Sequence, residues 1–223
     1  MPKYIFVSSC AGADRARSRA LFLREVAPLK LRDWGGLERY VVDLVDVANF
    51  SEAAPSPFDL VEEAWFETAD DFAAARIRDV EDRDVTSLSL RTHVYQVSET
   101  VQVDDLRQPR LGERSPGIKV IYLVRRNELL NDREARVRWK DHATLAKMHH
   151  AGISRYVQNG VIKALTPDAP VAHGIAELHF PTRDDLEERF YDSDQGRAAI
   201  EADVSTLVAE SQALYTSEYV LRI

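Results

Sequence analysis

The sequence contains a single cysteine, Cys10, among 223 residues. It can therefore form neither an internal disulfide nor a zinc site built on paired cysteines. We interpret Cys10 as a small buried residue near the end of a strand rather than as a reactive thiol. No metal site of any kind is predicted.

Long apolar runs are missing as well. Nothing in the sequence approaches the roughly 18 consecutive apolar residues of a membrane-spanning helix. Residues 1–10, MPKYIFVSSC, carry one lysine and a short apolar stretch, without the h-region and cleavage site of a signal peptide. We therefore expect a cytoplasmic protein without membrane contacts.

Positive charge is in the minority. The 29 Lys and Arg residues face 37 Asp and Glu residues, which gives a net charge of -8. Because no basic tract or stripe is present, binding to nucleic acid is not expected. Hydrophobic residues make up 45% and charged residues 30% of the chain, as is ordinary for a globular protein with a proper core.

The two halves of the chain repeat each other. Segments of the first half align with segments of the second in the same order, with one change of register such as a loop-length difference produces. Residues 36–45 and 152–161 share a glycine, an arginine, a tyrosine and two valines. The aligned pairs are 2–7 with 118–123, 23–29 with 139–145 and 36–45 with 152–161 at an offset of 116, and 61–72 with 175–186 at an offset of 114.

The repeat predicts the domain organisation. Residues 1–98 form the first unit and 118–223 the second. Residues 99–117 are polar, contain two prolines and end in glycine, which is typical of a linker.

Each unit has the pattern β-α-β-β-α-β. In the second unit, Asn131 and Glu134 predict a capping box that opens a helix to about Met148. Thr182 caps the second helix, as Thr68 does in the first unit. The predicted strands of the second unit are 118–125, 153–161, 173–180 and 216–222.

This order predicts an α+β fold made of two tandem ferredoxin-like units. A four-stranded sheet with helices on one face needs a cover on the other, and the second copy supplies it. The two sheets then face each other as one barrel with the helices outside.

Alternation along the strands predicts which side chains face the barrel interior. Along 118–125 we assign the aromatic row to a cavity in the interior and the row of Lys119, Ile121 and Leu123 to the helices. The residues assigned to the interior are Val120, Tyr122, Val124, Ile175, Glu177 and His179, with Tyr4, Phe6, Ser8, Val61, Glu63 and Trp65 as their first-unit equivalents.

His142 is the leading candidate for chemistry. It shares a helix face with Trp139 and Ala146, which places it at the edge of the sheet near a cavity mouth. Its first-unit counterpart is Val26, so only the second unit has the histidine. A histidine beside a carboxylate or a phenol is suited to general acid–base catalysis. The residues predicted to converge as the catalytic group are His142, His179, Glu177 and Tyr122.

Five further residues are predicted to bind substrate. Structural roles remain open for several candidates, since Glu63 repeats Glu177 and Tyr40 repeats Tyr156. His149 and His150 are predicted to be surface residues. The predicted substrate-binding residues are Trp139, Tyr156, Asn159, Phe6 and Trp65.

The segments WKDHATL (139–145), GISRYVQNGV (152–161) and GIAELHFPTRDDL (174–186) resemble the EthD-type family of dimeric α+β barrel proteins. The resemblance covers about 118–222, and residues 2–98 look like a diverged copy without the histidine and the Gln-Asn pair. It implies a fused ferredoxin-like barrel and kinship with cofactor-free dehydratases, cyclases and isomerases of aromatic or polyketide-like compounds. It supports His142 most, whereas His179 stands where the family usually has an aromatic residue.

Three functions follow as hypotheses. The first is a cofactor-independent lyase (dehydratase) or isomerase/cyclase for a small aromatic or polyketide-like substrate, with an apolar pocket near His142. The second is a haem- or oxygen-handling enzyme, which predicts a haem-sized cavity, although the sequence has no haem attachment motif. The third is a non-catalytic accessory or binding protein of a catabolic pathway. We favour the first, with no cofactor, and leave open whether fused barrels pair as a homodimer.

Overall fold

The computed structural model describes residues 1–11, 14–45, 56–81, 88–105 and 109–223. Within these residues, eight antiparallel strands close into a barrel in the order β1-β3-β2-β8-β5-β7-β6-β4. The strands are β1 Lys3–Cys10, β2 Leu37–Val45, β3 Leu60–Phe66, β4 Leu90–Asp104, β5 Ile118–Arg126, β6 Arg155–Ala164, β7 Gly174–Phe180 and β8 Val208–Arg222.

Each half contributes a four-stranded sheet, β4-β1-β3-β2 in the first and β8-β5-β7-β6 in the second. Pairing of β2 with β8 and of β4 with β6 joins the two sheets, which leaves no open edge in the barrel. The predicted α+β barrel of two tandem β-α-β-β-α-β units is therefore confirmed.

The helices follow the caps that the sequence encodes. The Asn131 side chain accepts from the backbone of Glu134, and the Glu134 carboxylate accepts from the Asn131 backbone, so the predicted capping box is formed. Residues Phe22–Val26 form a π-helical turn between α1 and α2. The helices are α1 Arg15–Leu21, α2 Ala27–Asp33, α3 Ala69–Glu81, α4 Asp132–His149, α5 Arg183–Glu187 and α6 Asp194–Leu207.

The structure departs most from the predicted elements after Thr182 and in strands β8 and β4. The helix after Thr182 ends at Glu187, and a separate α6 begins after the Ser193 cap. Strand β8 begins at Val208, well before the predicted start at 216, because it pairs with the whole length of β5 and then with β2. Strand β4 runs to Asp104, into the segment predicted as the linker, since it pairs with β6 that far.

The barrel interior holds an apolar core that draws on strands of both halves and on none of the helices. Ile5, Ile121, Leu123 and Ile175 belong to it. Separate cores lie outside the barrel, between the sheets and the helices of each half. These contain Tyr4 and Phe6 in the first half, and Val120 and Tyr122 in the second.

The predicted facing of β7 and β3 is therefore right, whereas that of β5 and β1 is wrong. Register explains the difference, because Ile121 pairs with Glu177, and residues directly opposite each other in a sheet point to the same side. Tyr122 pairs with Ala176 and consequently faces the helices.

A buried ionic cluster also lies in the interior. Lys3 Nζ lies 2.6 Å from Glu63 Oε2 and 2.9 Å from Glu177 Oε1. Lys119 Nζ lies 3.1 Å from Glu177 Oε2 and also pairs with Glu63. Burial would lower the pKa of Lys3, but the Glu177, Glu63 and Glu99 carboxylates outweigh it and raise that pKa. The four central charges thus form a closed ring between the two halves.

Candidate functional site

A cavity of about 180 Å3 lies outside the barrel, between the second-half sheet and helices α4 and α6. Its wall is mainly aromatic and aliphatic, with two histidines. The lining residues are Tyr122, Val124, Trp139, His142, His150, Tyr156, Ala176, Leu178, Phe190, Tyr191, Ile200, Val204, Val208 and Ser211.

Small residues make room for this cavity. Ala143 and Ala146 are buried on the inner face of α4, and Ala176 lies on the facing side of β7. At the offsets of the repeat, Lys30 stands in place of Ala146 and Glu62 in place of Ala176. The first half therefore has two long side chains where the second half has two methyl groups.

In the first half, that space is occupied by a buried polar triad. Lys30 Nζ lies 2.7 Å from Glu62 Oε2, and the Tyr40 hydroxyl donates a hydrogen bond to the same oxygen. The Lys30 ammonium also lies over the rings of Trp34 and Phe22, at 4.7 and 5.2 Å from their centroids. The triad replaces an open site with a filled one.

His142 is held by a carboxylate at the wall of the cavity. Its Nδ1 lies 2.7 Å from Asp203 Oδ2, across the contact between α4 and α6. Because a carboxylate only accepts, Nδ1 carries the proton and donates it. The second nitrogen, Nε2, is left for a ligand. The Trp139 ring stacks beside the imidazole, with centroids 6.5 Å apart.

His150 is a second histidine at this cavity. Its Nδ1 lies 2.7 Å from the carbonyl oxygen of Phe190, which fixes Nδ1 as the protonated nitrogen. Burial lowers the pKa of His150, against the opposing effect of that carbonyl. His150 is thus a neutral imidazole near neutral pH and can accept a hydrogen bond through Nε2.

Two strongly buried phenols also belong to the wall. Burial raises the pKa of Tyr122, and the neighbouring Tyr215 and Tyr191 add to the rise. Burial also raises the pKa of Tyr156, whose hydroxyl accepts a hydrogen bond from Gln158 Nε2 at 2.9 Å. Both phenols therefore stay protonated near neutral pH and keep a hydroxyl proton that can be donated.

The structure brings together only part of the predicted site. His142, Tyr122, Trp139 and Tyr156 meet at the cavity, as the lining shows. The predicted convergence of all four catalytic candidates is wrong, because Glu177 and His179 lie on the interior side of the sheet. Glu177 is bound there by Lys3, Lys119 and Asn159.

Three predicted substrate-binding residues also lie elsewhere. Asn159 Nδ2 donates to Glu177 Oε1 at 2.6 Å in the interior, because it is an odd number of residues from Tyr156 along β6. Phe6 packs in the outer core of the first half. Trp65 donates to Glu99 and lies under Lys3 on the interior side of β3.

Two residues escape prediction from the sequence, one in the cavity wall and one that contacts His142. The sequence predicts an exposed His150, but this residue is buried because Phe190 and Tyr191 pack on its ring. Asp203 is absent from the predicted site. Asp203 lies beside the apolar stripe of Ile200 and Val204 on α6. This position is a sequence signal for it, because an acid at the edge of a packed helix face lies close to the neighbouring element.

A cluster of carboxylates in the interior has the geometry of a metal site. Ligand oxygens of Glu63, Glu99 and Glu177 lie within 4.8 Å of one another. The Lys3 ammonium sits among them, at 2.6 to 2.9 Å from each of the three. The lysine thus already supplies the positive charge that a cation would bring.

None of the described helices is both long and apolar enough to cross a membrane.

Cys10 is half-buried, and burial together with Asp59 raises the pKa of its thiol to about 11. Such a thiol is protonated at neutral pH, as expected for a structural cysteine.

Comparison with solved structures identifies the fold. An anthrone oxidase-like protein superposes with a TM-score of 0.67 at 12% identity, covering 99% of this chain and 93% of the other. A candidate monooxygenase from Lactobacillus acidophilus NCFM gives 0.57 at 9% identity, covering 99% and 96%. A variant of chlorite dismutase from Candidatus Nitrospira defluvii in complex with cyanide gives 0.54 at 10% identity, covering 99% and 91%.

Comparison with curated proteins gives no match. Residues 127–211 match the family model of the EthD domain. This range contains α4, β6, β7 and α6 and all lining residues of the cavity except Tyr122 and Val124 on β5. The resemblance drawn from the sequence motifs is confirmed. The C-terminal half is thus similar to the EthD domain, and the chain has, over its full length, the dimeric α+β barrel fold as a tandem fusion.

Proposed function

We propose that the chain is a cofactor-independent enzyme that moves a proton on a small aromatic or polyketide-like substrate, with His142 as the general acid–base. The observation that carries the proposal is the 2.7 Å contact of His142 with Asp203 at the wall of an apolar cavity. A carboxylate on Nδ1 orients the imidazole and stabilises its protonated form, which is the arrangement that a general base needs.

The cavity favours a substrate of one or two rings. Its volume of about 180 Å3 lies below the roughly 300–1,000 Å3 of pockets for drug-sized ligands. Aromatic rings of Trp139, Tyr122 and Phe190 can stack on a planar substrate, and the two phenols can donate to a developing oxyanion. These features support dehydration, isomerisation or ring closure through an enol or phenolate.

Oxygen-handling chemistry is the second candidate. The similar structures are described as anthrone oxidase-like, as a candidate monooxygenase and as chlorite dismutase. The same proton abstraction by His142 gives an electron-rich carbanion or phenolate, and molecular oxygen as co-substrate could accept electrons from it.

Haem needs more room than the cavity beside His142 provides by itself. In metal-ligating histidines, the ring nitrogen that does not bind the metal typically contacts a carboxylate, as Nδ1 of His142 does. However, a porphyrin belongs at the large end of the ligand-pocket range, and the cavity beside His142 lies below that range.

Proton exchange in D2O tests the proposal whatever the final product of the reaction is. Hydroxylated one- and two-ring aromatic and polyketide-like compounds are incubated with the protein, and loss of the activated C–H signal is followed by NMR. We expect catalysed exchange with at least one compound, and a fall by about 10²–10⁴-fold in His142→Gln.

The matched control is His149→Gln, because His149 also lies on α4 and pairs with a carboxylate, Asp192, at 3.1 Å, but is not part of the cavity wall. Unchanged exchange in His142→Gln would contradict the proposal, and so would no exchange across the whole set. An oxygen electrode run in parallel separates the two candidates, since only oxygenation consumes oxygen.

A further inference from the structure

A second, larger cavity adjoins the first. It is a groove of about 580 Å3 between the N-terminal part of α4, the end of β6 and the segment 169–174. Trp139 and Val124 line both spaces, so the two cavities share a wall. The groove will be called the outer groove, and the cavity at His142 the inner cavity.

Trp139 forms the partition between the two spaces. A Cβ added at Gly174 would lie 3.0 Å from the Trp139 ring, so the indole rests directly on the backbone of β7. Its Nε1–H is buried and has no acceptor among the described residues. A buried donor without an acceptor is costly, and an oxygen of a ligand that passes along the ring would satisfy it.

The outer groove carries positive charge in a protein whose net charge is -8. Arg126, Arg136 and Lys163 line it, against the single carboxylate of Asp132, which pairs with Arg126 at 2.9 Å. Arg136 and Lys163 are exposed and have no ion-pair partner in the described part of the chain. Two cations are therefore left for an anion that enters the groove.

The groove also has apolar walls. Ile162 and Val171 line it and are 62% and 67% exposed. A groove with aliphatic walls and unpaired cations at its rim suits an amphipathic occupant with a negative end.

We propose that the outer groove binds a carboxylate-bearing tail of the same substrate whose ring occupies the inner cavity, with Arg136 and Lys163 as the partners of the carboxylate. This inference rests on the proposed function, because it takes the inner cavity as the reaction chamber. It narrows the substrate class to aromatic compounds that carry an acidic side chain, and it makes Trp139 the residue between the reacting ring and the tail.

Calorimetry with a matched pair of probes tests the inference on the full chain. The probes are 4-(1-naphthyl)butanoate and the corresponding neutral amide. We expect the carboxylate to bind at least tenfold more tightly than the amide at low salt, and this preference to disappear in Arg136→Gln/Lys163→Gln. Affinity for the amide should stay unchanged in that variant.

The control variant is Arg133→Gln/Lys140→Gln, which removes two exposed charges from α4 outside both cavities and should keep the preference. Equal binding of acid and amide, no binding of the acid, or a preference that survives in Arg136→Gln/Lys163→Gln would overturn the inference. The outcome is separate from that of the proposed function. If His142→Gln loses proton exchange but the carboxylate probe is not preferred, the role of the outer groove is refuted and that of His142 stands. If the carboxylate probe is preferred but His142→Gln keeps proton exchange, His142 is refuted as the base and the role of the outer groove stands.

Discussion

Lys3 of the first half and Glu177 of the second half form a buried ion pair at 2.9 Å inside the barrel, where their side chains are 2% and 1% exposed. The predicted convergence assigns Glu177 to catalysis, whereas the structure gives it four polar partners that hold it in place. Burial would raise the pKa of Glu177, but Lys119, Lys3 and Arg155 outweigh it and hold that pKa well below its usual range. Glu177 is therefore a permanent anion that joins the halves.

Removing Lys3 should destabilise the whole barrel. Lys3→Met leaves the carboxylates of Glu63, Glu99 and Glu177 with one cation fewer, and we expect a loss of about 3–5 kcal/mol in the free energy of unfolding. Urea denaturation measures it. Arg24→Ala breaks the exposed pair with Glu25 and should cost no more than about 1 kcal/mol. Equal costs for the two variants would contradict a stabilising role of the ring.

Acid should weaken the barrel through His179. Burial lowers the pKa of His179 from 6.5 to about 4. His179 takes up a proton less readily in the folded state than in the unfolded state. Its contribution to the free energy of unfolding is therefore complete above pH 6.5 and is lost as the pH falls towards 4. Compared with His179→Phe, the wild-type free energy of unfolding should drop by up to about 1.4 kcal/mol per pH unit in that window. Parallel pH curves for the two proteins would exclude this effect.

The Lys30–Glu62 pair should behave as a structural filler of the first half. Lys30→Met alone strands a buried carboxylate and should cost about 3–5 kcal/mol, whereas adding Glu62→Gln should recover most of the loss. Chemical denaturation of the two single variants and the double variant gives the coupling energy. Probe binding at His142 should be unaffected throughout, and a change there would indicate that the first half takes part in the site.

Filling the inner cavity should weaken binding while leaving the fold intact. Ala176→Leu places a longer side chain in the inner cavity, at the position where the first half has Glu62. The naphthyl probes should lose at least about tenfold in affinity, at a cost of about 1–3 kcal/mol in the free energy of unfolding. Ala202→Leu adds the same groups on the exposed side of α6 and should change neither. Unaltered affinity in Ala176→Leu would place the probes outside the inner cavity.

Asp203 should act as a positioning residue. Asp203→Asn keeps the shape but loses the charge that holds His142, and we expect a smaller fall in exchange rate than in His142→Gln, with KM unchanged. Steady-state kinetics on the compound found by exchange separates kcat from KM. The control is Asp192→Asn, which removes the equivalent partner of His149.

The barrel could be predicted from the sequence because the repeat and the helix caps are local signals. Asn131 and Thr182 mark their helices wherever those helices lie. Facing is harder, because alternation along β5 defines two rows without saying which is inside. The pairing of Ile121 with Glu177 decides which row of β5 faces the interior. It is a contact between strands that are distant in the sequence.

The candidate site could be predicted in part for the same reason. His142 can be found because its helix face and its absence from the first half are both visible in the sequence. The contact between Asp203 and His142 cannot, because it spans 61 positions and depends on how α6 packs on α4. Alternation alone places Lys3 and Lys119 in the aliphatic rows that were assigned to the helices. The amino-acid composition gives no sign that the barrel interior is charged.

The ring of Lys3, Glu63, Lys119 and Glu177 is unchanged when the two halves are exchanged, since each lysine contacts both glutamates. A set of contacts with this property is that of an isologous, two-fold interface, here enclosed within one polypeptide. Such an interface closes as well between two identical chains as between fused copies. A polypeptide of residues 118–223 alone should therefore self-associate through Lys119 and Glu177 into a homodimer with two open His142 cavities, where the fused chain has one.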